Sequence, residues 1–338
     1  MSLTVSAEPS VSAVERTAIV PAIETVGLRK AYRGTVVLHD LSLSVASGEV
    51  FGFLGPNGAG KTTTVKILMG LVRPTTGEAR IFGLPAGDRE ARRRVGYLPE
   101  NFRFHDWLTG AGLLDFHGRP AGLSAGERRA RIPEVIQRVG LAGRGDERIR
   151  TYSKGMTQRI GLAQAIFHRP KLVLLDEPTS ALDPVGRREV RDLIRSLRDD
   201  GITVFLNSHL LSEVEMVCDR VAIIDRGRVV HSGRMEELLS GVSELRVKVD
   251  RVDDELLSAL KRFADVVAVD GSETEPGNEQ RAPGVRHGAT VTLAVTDLEL
   301  APLVAETVIR RGYQLFGLVP VHRSLEEIFM DLIEGGQR

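Results

Sequence analysis

The residues whose types and spacing are most informative are Gly55-Pro56-Asn57-Gly58-Ala59-Gly60-Lys61-Thr62, which match the pattern G-x-x-x-x-G-K-[ST] in full. The apolar run Val50–Leu54 before this turn predicts a buried strand, and residues 62–69, beginning with Thr62 and Thr63, predict a helix. Backbone N–H groups and the positive end of the helix dipole then converge on an anion. We expect Lys61 to reach the β- and γ-phosphates of a nucleoside triphosphate and Thr62 to hold Mg²⁺.

A second informative feature is the pair of adjacent carboxylates, Asp176 and Glu177, at the end of the apolar run 171–176. The functional edge of a parallel sheet lies at the carboxyl ends of its strands, so this pair is expected to face the phosphates. Asp176 is predicted to bind Mg²⁺, directly or through water, and Glu177 to position the attacking water as a general base. Such a pair alone usually marks only a strand end, and the phosphate-binding turn makes it informative.

The composition excludes several classes of protein. The chain has 338 residues, long enough for two domains, and its 45 basic residues balance 45 acidic ones, so no global charge favours nucleic acid. The single cysteine, Cys218, excludes an internal disulfide and is interpreted as a small buried thiol. No apolar run approaches the roughly 18 residues needed to span a bilayer, and no signal peptide is apparent. A cytoplasmic location is therefore predicted.

The elements that must position these residues follow an α/β order. Residues 1–22 are predicted to be a flexible tail, and residues 23–52 alternate as in an antiparallel edge sheet. Residues 101–165 read as a helical insertion, with helices at 110–117, 125–139 and 157–167. The core resumes with a strand at 171–176, helices at 184–198 and 211–218, and strands at 202–206, 220–224 and 228–231.

The character of the chain changes after about residue 240. Strands are predicted at 243–249, 266–269, 290–295 and 314–319, with helices at 253–263, 298–311 and 324–334. This order, βαββαβα, predicts a small ferredoxin-like α+β domain over residues 241–338. Residues 271–288, rich in glycine, proline and charge, read as a flexible loop, and no catalytic constellation is evident in this domain.

Over residues 23–240, the chain resembles the ATP-binding subunits of ABC transporters. The eight residues of the turn correspond to Walker A, and Asp176 and Glu177 correspond to Walker B and its catalytic glutamate. The other matches, in the family's order, are Tyr32 as the aromatic that stacks on adenine, Glu100 at the Q-loop, Ser153 and Gly155 in the signature, Asp183 in the D-loop and His209 as the switch histidine. Each has an ordinary explanation alone, but their common order does not arise by chance.

Two positions depart from the family pattern. Glu100 stands where the family has glutamine, and its carboxylate can still approach Mg²⁺ but adds negative charge beside phosphate. The signature keeps only Ser153 and Gly155, with Lys154 in place of the first glycine. These variants, together with the added C-terminal domain and its ending at 324–329, resemble the subgroup that serves ABC-2-type exporters.

The resemblance implies a P-loop ATPase fold, ATP and Mg²⁺ as cofactors, and no nucleic-acid partner. It implies a homodimer or heterodimer in which each ATP lies between Walker A of one subunit and the signature of the other. It also implies a separate integral membrane permease, bound at the helical insertion, which holds the ATPase peripherally on the inner face of the cell membrane. Trp107 and Phe104 are candidates there for permease contact or for the core.

Two other classes of function are weighed against a transporter subunit. Soluble ABC ATPases that act on ribosomes or DNA usually carry two cassettes in one chain or long coiled coils, and this chain has neither. A nucleotide-binding regulator without hydrolysis is disfavoured by the presence of Glu177 and His209. The sequence does not predict the transported molecule.

Overall fold

The computed structural model describes residues 20–180, 182–239, 243–273, 286–295, 298–321 and 324–335. Most of the predicted tail and the centre of the predicted loop at 271–288 lie outside the described residues. Among the residues described, no helix is long and apolar enough to cross a membrane.

The strands, numbered in chain order, are β1 (Ile23–Tyr32), β2 (Thr35–Val45), β3 (Val50–Leu54), β4 (Thr76–Ile81), β5 (Leu84–Pro85), β6 (Val95–Leu98), β7 (Leu172–Asp176), β8 (Thr203–Asn207), β9 (Arg220–Asp225), β10 (Arg228–Arg234), β11 (Ser243–Val249), β12 (Arg251–Val252), β13 (Asp265–Glu273), β14 (Arg286–Val295) and β15 (Leu315–Val321). The helices are α1 (Lys61–Leu68), α2 (Arg89–Arg93), α3 (Gly110–Gly118), α4 (Ala125–Arg138), α5 (Lys154–Ile166), α6 (Pro184–Asp199), α7 (Leu211–Val217), α8 (Met235–Leu239), α9 (Asp254–Leu260), α10 (Ala301–Arg310) and α11 (Leu325–Gly335).

The central sheet has the strand order β10-β9-β3-β8-β7-β6, in which every neighbouring pair is parallel except β10 with β9. Strands β3, β7 and β8 are buried at every residue, as expected of parallel strands covered on both faces. Because these three strands are adjacent and parallel, their carboxyl ends meet at one edge. Asp176 of β7 lies opposite Asn207 of β8, and Phe53 of β3 lies opposite Asn207 on the other side.

A second, antiparallel sheet has the order β2-β1-β4-β5, which confirms the predicted edge sheet. Its buried residues, including Ile23 and Leu41, share an apolar cluster with Phe51 and Phe53 of β3 and with α1. Packing of this sheet against the central one fixes the position of the strand that leads into the phosphate-binding turn.

The predicted helical insertion is formed by α3, α4 and α5. Helix α5 begins at Lys154, earlier than the predicted residue 157, because Ser153 caps it: the Ser153 hydroxyl accepts a hydrogen bond from the Met156 N–H at 3.2 Å. A capping box between Ser124 and Glu127 likewise sets the start of α4.

The C-terminal strands form an antiparallel sheet in the order β13-β14-β11-β15, with β12 also pairing with β14. This order, with α9 and α10 as the intervening helices, is consistent with the predicted ferredoxin-like arrangement. The predicted loop at 271–288 is wrong at both ends, because the ladder between β13 and β14 continues there. Ser272 pairs with His287, and Glu273 with Arg286.

The last helix, α11, packs on α7, in the part of the chain before residue 240. Leu325 is fully buried in the same apolar cluster as Val214 and Val217 of α7, and Phe329 packs against that cluster. The Leu325 N–H donates to Glu215 Oε2 of α7 at 3.0 Å. Helix α11 therefore links the C-terminal region to the helix that follows His209.

We expect Leu325→Ala to lower the free energy of unfolding by about 2–5 kcal/mol, since it removes a buried side chain and leaves a cavity between α11 and α7. The matched control is Met330→Ala on the same helix, where the side chain is 48% exposed and a change within about 0.5 kcal/mol is expected. Urea unfolding curves measure both variants. Equal effects of the two substitutions would show that α11 is not anchored through Leu325.

Candidate active site

The turn between β3 and α1 has a backbone that only glycine adopts easily. Gly58 and Gly60 have φ values of +83° and +106°, and a Cβ atom on Gly60 would lie 2.5 Å from Leu38. A Cβ on Gly55 would lie 2.2 Å from the carbonyl oxygen of Ile224. These glycines let the turn wrap closely at the N-terminus of α1, where backbone N–H groups can receive an anion.

Lys61 is the first residue of α1, and its ammonium group folds back onto the turn. Its Nζ donates to the carbonyl oxygens of Gly55 at 2.6 Å and Pro56 at 3.1 Å. Burial lowers the pKa of Lys61, and the nearby carboxylates, first Glu177, oppose that shift. Phosphate oxygens would offer this ammonium group charge-assisted acceptors, which bind more strongly than neutral carbonyls.

Asp176 is buried at the carboxyl end of β7. Burial raises its pKa, while the side-chain amide of Asn207, which donates from Nδ2 to Asp176 Oδ1 at 2.5 Å, acts in the opposite direction. The negative charges of Glu100 and Glu177 raise the pKa further, and Lys61 lowers it. A positive charge added beside this carboxylate would lower its pKa, as Lys61 does.

Glu177 follows with φ of +53°, in the left-handed region that residues other than glycine rarely adopt. Its N–H donates to the carbonyl oxygen of Asn207 at 2.8 Å, which holds this unusual backbone in place. Residues in such conformations cluster at functional sites, where the surrounding structure maintains them.

His209 lies beside Glu177, with Nδ1 2.7 Å from Oε2 of the glutamate. The His209 side chain is 60% exposed, whereas that of Glu177 is 10% exposed. The contact is an ion pair only when the ring is protonated, and among the described residues Oε2 has no aligned hydrogen-bond donor. The glutamate thus retains a free acceptor position, as a general base requires.

These residues surround one cavity of about 440 Å³, lined by Val37, Asn57, Gly58, Gly60, Lys61, Thr62, Thr63, Glu100, Asp176, Glu177, Asn207 and His209. Val37 and Asn207 were not predicted as site residues. No local pattern marks Val37, but the position of Asn207 at the end of the strand next to Asp176 is a signal that the sequence contained.

Seven predicted site residues do not line this cavity. Three of them, Gly55, Pro56 and Ala59, belong to the turn beside it, and the other four are Tyr32, Ser153, Gly155 and Asp183. Tyr32 is 42% exposed, and its ring lies 4.8 Å from the ammonium of Lys30. Ser153 and Asp183 cap helices α5 and α6, the latter by accepting from the Gly186 N–H at 2.8 Å.

Gly155 lies in the first turn of α5. A Cβ atom there would meet only ordinary contacts, the nearest being Leu182 at 3.5 Å, and φ does not lie in the left-handed region. Packing within one chain therefore does not require glycine at this position.

Comparisons with known proteins agree with this geometry. The family model described as ABC transporter matches residues 38–180. The ABC transporter ATP-binding protein all4389 of Nostoc sp. is 46% identical over 244 residues, which cover 70% of this chain and 73% of that protein. The chain belongs to the ABC transporter ATP-binding proteins.

A relative with a named role is the daunorubicin/doxorubicin resistance ATP-binding protein DrrA of Streptomyces peucetius, 40% identical over 275 residues, with 77% of this chain and 83% of that protein covered. Among solved structures, a dimeric post-hydrolysis state of the ATP-binding cassette MJ0796 with ADP and Pi is similar, with a TM-score of 0.58 and 25% identity. That match covers 63% of this chain and 98% of the cassette. This ABC transporter ATP-binding protein is accordingly an ATPase.

Replacing Glu177 with glutamine should leave ATP binding intact and reduce hydrolysis by about 10²–10⁴-fold, because the amide keeps the shape of the side chain and loses the base. Phosphate release and equilibrium binding of a fluorescent ATP analogue measure the two effects. Glu78→Gln on the exposed edge sheet is the matched control and should change neither. Near-normal turnover of the Glu177 variant would remove this residue from the catalytic role.

Proposed function

We propose that this ATPase energises export by a separate ABC-2-type membrane permease, through a head-to-tail dimer that closes on two ATP molecules. The observation that carries the proposal is the division of the site. The P-loop, Asp176, Glu177 and His209 line one cavity, whereas Ser153 and Gly155 lie elsewhere on the same chain. A second copy can supply the missing face.

Within each chain, Lys61 and the N–H groups of the turn bind the phosphates, and Tyr32, exposed on β1, stacks on adenine. The residues offered to Mg²⁺ are Thr62, Asp176 and Glu100. No cluster of three or more acidic, histidine or cysteine side chains in the described part of the chain could hold a metal alone. That fits Mg²⁺, which characteristically binds one or two carboxylates together with nucleotide phosphates.

The catalytic roles follow from the same geometry. Glu177 accepts a proton from the attacking water, and His209, whose Nδ1 lies 2.7 Å from Glu177 Oε2, would contact the phosphate end of the nucleotide. Neutralising charge on the phosphates is the chemistry that Mg²⁺ supplies when bound.

The partner's signature completes the site. Ser153 and the N-terminus of α5 present N–H groups and a positive helix end to the γ-phosphate across the dimer, with Asp183 in the adjoining D-loop. The absence of a packing reason for Gly155 within the chain supports this, since a side chain there would obstruct the approach of phosphate from another subunit.

The permease is proposed to bind at the helical insertion. Trp107 is 67% exposed, which favours a contact role, whereas Phe104 is partly buried against Phe102, with ring centroids 5.0 Å apart, and belongs with the core. An adjacent cavity of about 530 Å³ between the insertion and the α2 region has Arg92 and His117 in its wall. The protein would then lie peripherally on the cytoplasmic face of the membrane.

Export is the favoured direction because the relative DrrA is named for resistance to daunorubicin and doxorubicin.

We place the boundary of the accessory domain near residue 240, with residues 23–240 as the ATPase. The described residues of the accessory domain contribute nothing to the wall of the ATP cavity. We therefore assign this domain to dimerisation or regulation. Co-purification of a polytopic membrane protein separates this function from action on ribosomes or DNA.

The shared site is tested with two defective subunits. Gly155→Asp places a negative charge where the partner's phosphate must approach, so the monomer should bind ATP normally while dimer closure and hydrolysis fail together. Lys61→Ala should lose ATP affinity, because it deletes a charge paired with the phosphates. In a heterodimer of the two variants, one composite site carries both lesions and the other carries neither.

We expect mixing the two inactive variants to restore part of the ATPase rate, with one nucleotide bound per heterodimer. Affinity tags of different sizes establish that heterodimers form. The number of nucleotides bound per heterodimer shows whether a lack of hydrolysis reflects loss of ATP binding or strict coupling between the two sites. If each chain instead completes its own site, mixing restores no ATPase activity in heterodimers shown to form, and that result would reject the head-to-tail dimer.

A further inference from the structure

Asn207 is a buried polar residue at the edge of the site to which the ABC motifs assign no role. It is the last residue of β8 and is 3% exposed. It contacts both catalytic carboxylate residues: its side chain donates to Asp176 at 2.5 Å, and its carbonyl oxygen accepts from the Glu177 N–H at 2.8 Å. One residue on a rigid parallel strand thus fixes the relative placement of the two.

The orientation of the Asn207 amide follows from chemistry. An ionised carboxylate only accepts hydrogen bonds, so the NH₂ end of the amide must face Asp176. The amide oxygen then points away from that carboxylate.

That amide oxygen, Oδ1 of Asn207, is buried and has no hydrogen-bond partner among the described residues. A buried acceptor without a donor is costly, and native proteins rarely keep one without a reason. Asn207 lines the cavity that also contains Lys61, Thr62 and Asp176. Lys61 and Thr62 carry donors, but the Lys61 ammonium donates to Gly55 and Pro56, and neither residue is a partner of Oδ1. We therefore expect the donor for Oδ1 to arrive with the ligand.

We propose that Asn207 is a positioning residue for the metal–nucleotide complex. Its amide N–H group holds Asp176 in the orientation that faces Mg²⁺, and its amide oxygen accepts a hydrogen bond from a water molecule in the shell of that ion. The inference rests on the proposed binding of Mg-ATP. Residues that orient a metal ligand in this way typically change metal affinity by about 10–100-fold when they are replaced.

The experiment compares metal-free and metal-dependent nucleotide binding in the full-length chain. A fluorescent ATP analogue is titrated first in EDTA and then at fixed nucleotide with increasing Mg²⁺. Asn207→Leu replaces the amide with an apolar group of similar volume. We expect the affinity of this variant for the analogue without metal to stay within about twofold of wild type. The Mg²⁺ concentration that gives half of the metal-dependent increase in affinity should rise by about 10–100-fold.

The matched control is Thr203→Val on the same strand, where the hydroxyl accepts from the Gly48 N–H at 2.9 Å, away from the cavity. It removes a buried polar group of β8 and should leave the Mg²⁺ requirement unchanged. If Asn207→Leu fails to fold, the same titration is made with Asn207→Ser. The serine side chain is too short to bond both Asp176 and the water molecule, so the same rise in the required Mg²⁺ concentration is expected.

An unchanged Mg²⁺ requirement in a folded Asn207 variant overturns the inference, as does an equal loss of metal-free binding, which would indicate a purely structural role. If wild-type protein binds the analogue without any response to Mg²⁺, the proposed Mg-ATP function fails as well. If wild type responds and the folded variant responds equally, only the role of Asn207 is rejected.

Discussion

The parallel pairing of β3, β8 and β7 is the constraint on which the rest of the structure depends. It places the end of each strand at one edge, so that the phosphate-binding turn, Asn207 and Asp176 become neighbours although they are far apart in sequence. The three strands are buried along their whole length, and a shift of one residue in β7 would flip its side chains to the opposite face of the sheet and break the pairing of Asp176 with Asn207. The antiparallel sheet and the helices cover the two faces of these strands.

Much of the fold could be predicted because its local signals agree with its tertiary structure. The strand ending at Asp176, the helix beginning at Pro184 and the capped helix α4 of the insertion each had an apolar pattern and an identifiable end. The extension of β13 and β14 into a glycine-rich segment could not be predicted, since ladder pairing between two backbones leaves no trace in composition. The packing of Leu325 on α7 was likewise invisible, because apolar periodicity shows that a face is buried but not against what.

The site, like the fold, could be predicted where a local pattern marks it and could not be predicted where it depends on contacts between strands. Spacing identifies a P-loop and a strand-end carboxylate, but it cannot report the left-handed backbone of Glu177 or the amide of Asn207 that joins two strands. Nor can it separate residues that meet within one chain from those that meet between copies. Within one chain, Lys61 and Glu177 line the cavity, and Ser153 and Gly155 do not. Helix α11 of the C-terminal region packs on α7, the helix that follows His209.

The central claim is that the γ-phosphate of ATP lies between the P-loop of one subunit and the signature of another. The most direct measurement is photocleavage of the Mg-ATP-treated protein after vanadate has replaced the released phosphate, because light then cuts the backbone that touches the vanadate. The account predicts cuts in two places, within 55–62 and at 153–155, with the second cut lost when the protein is diluted to monomer. Cuts confined to 55–62 at every protein concentration would contradict it.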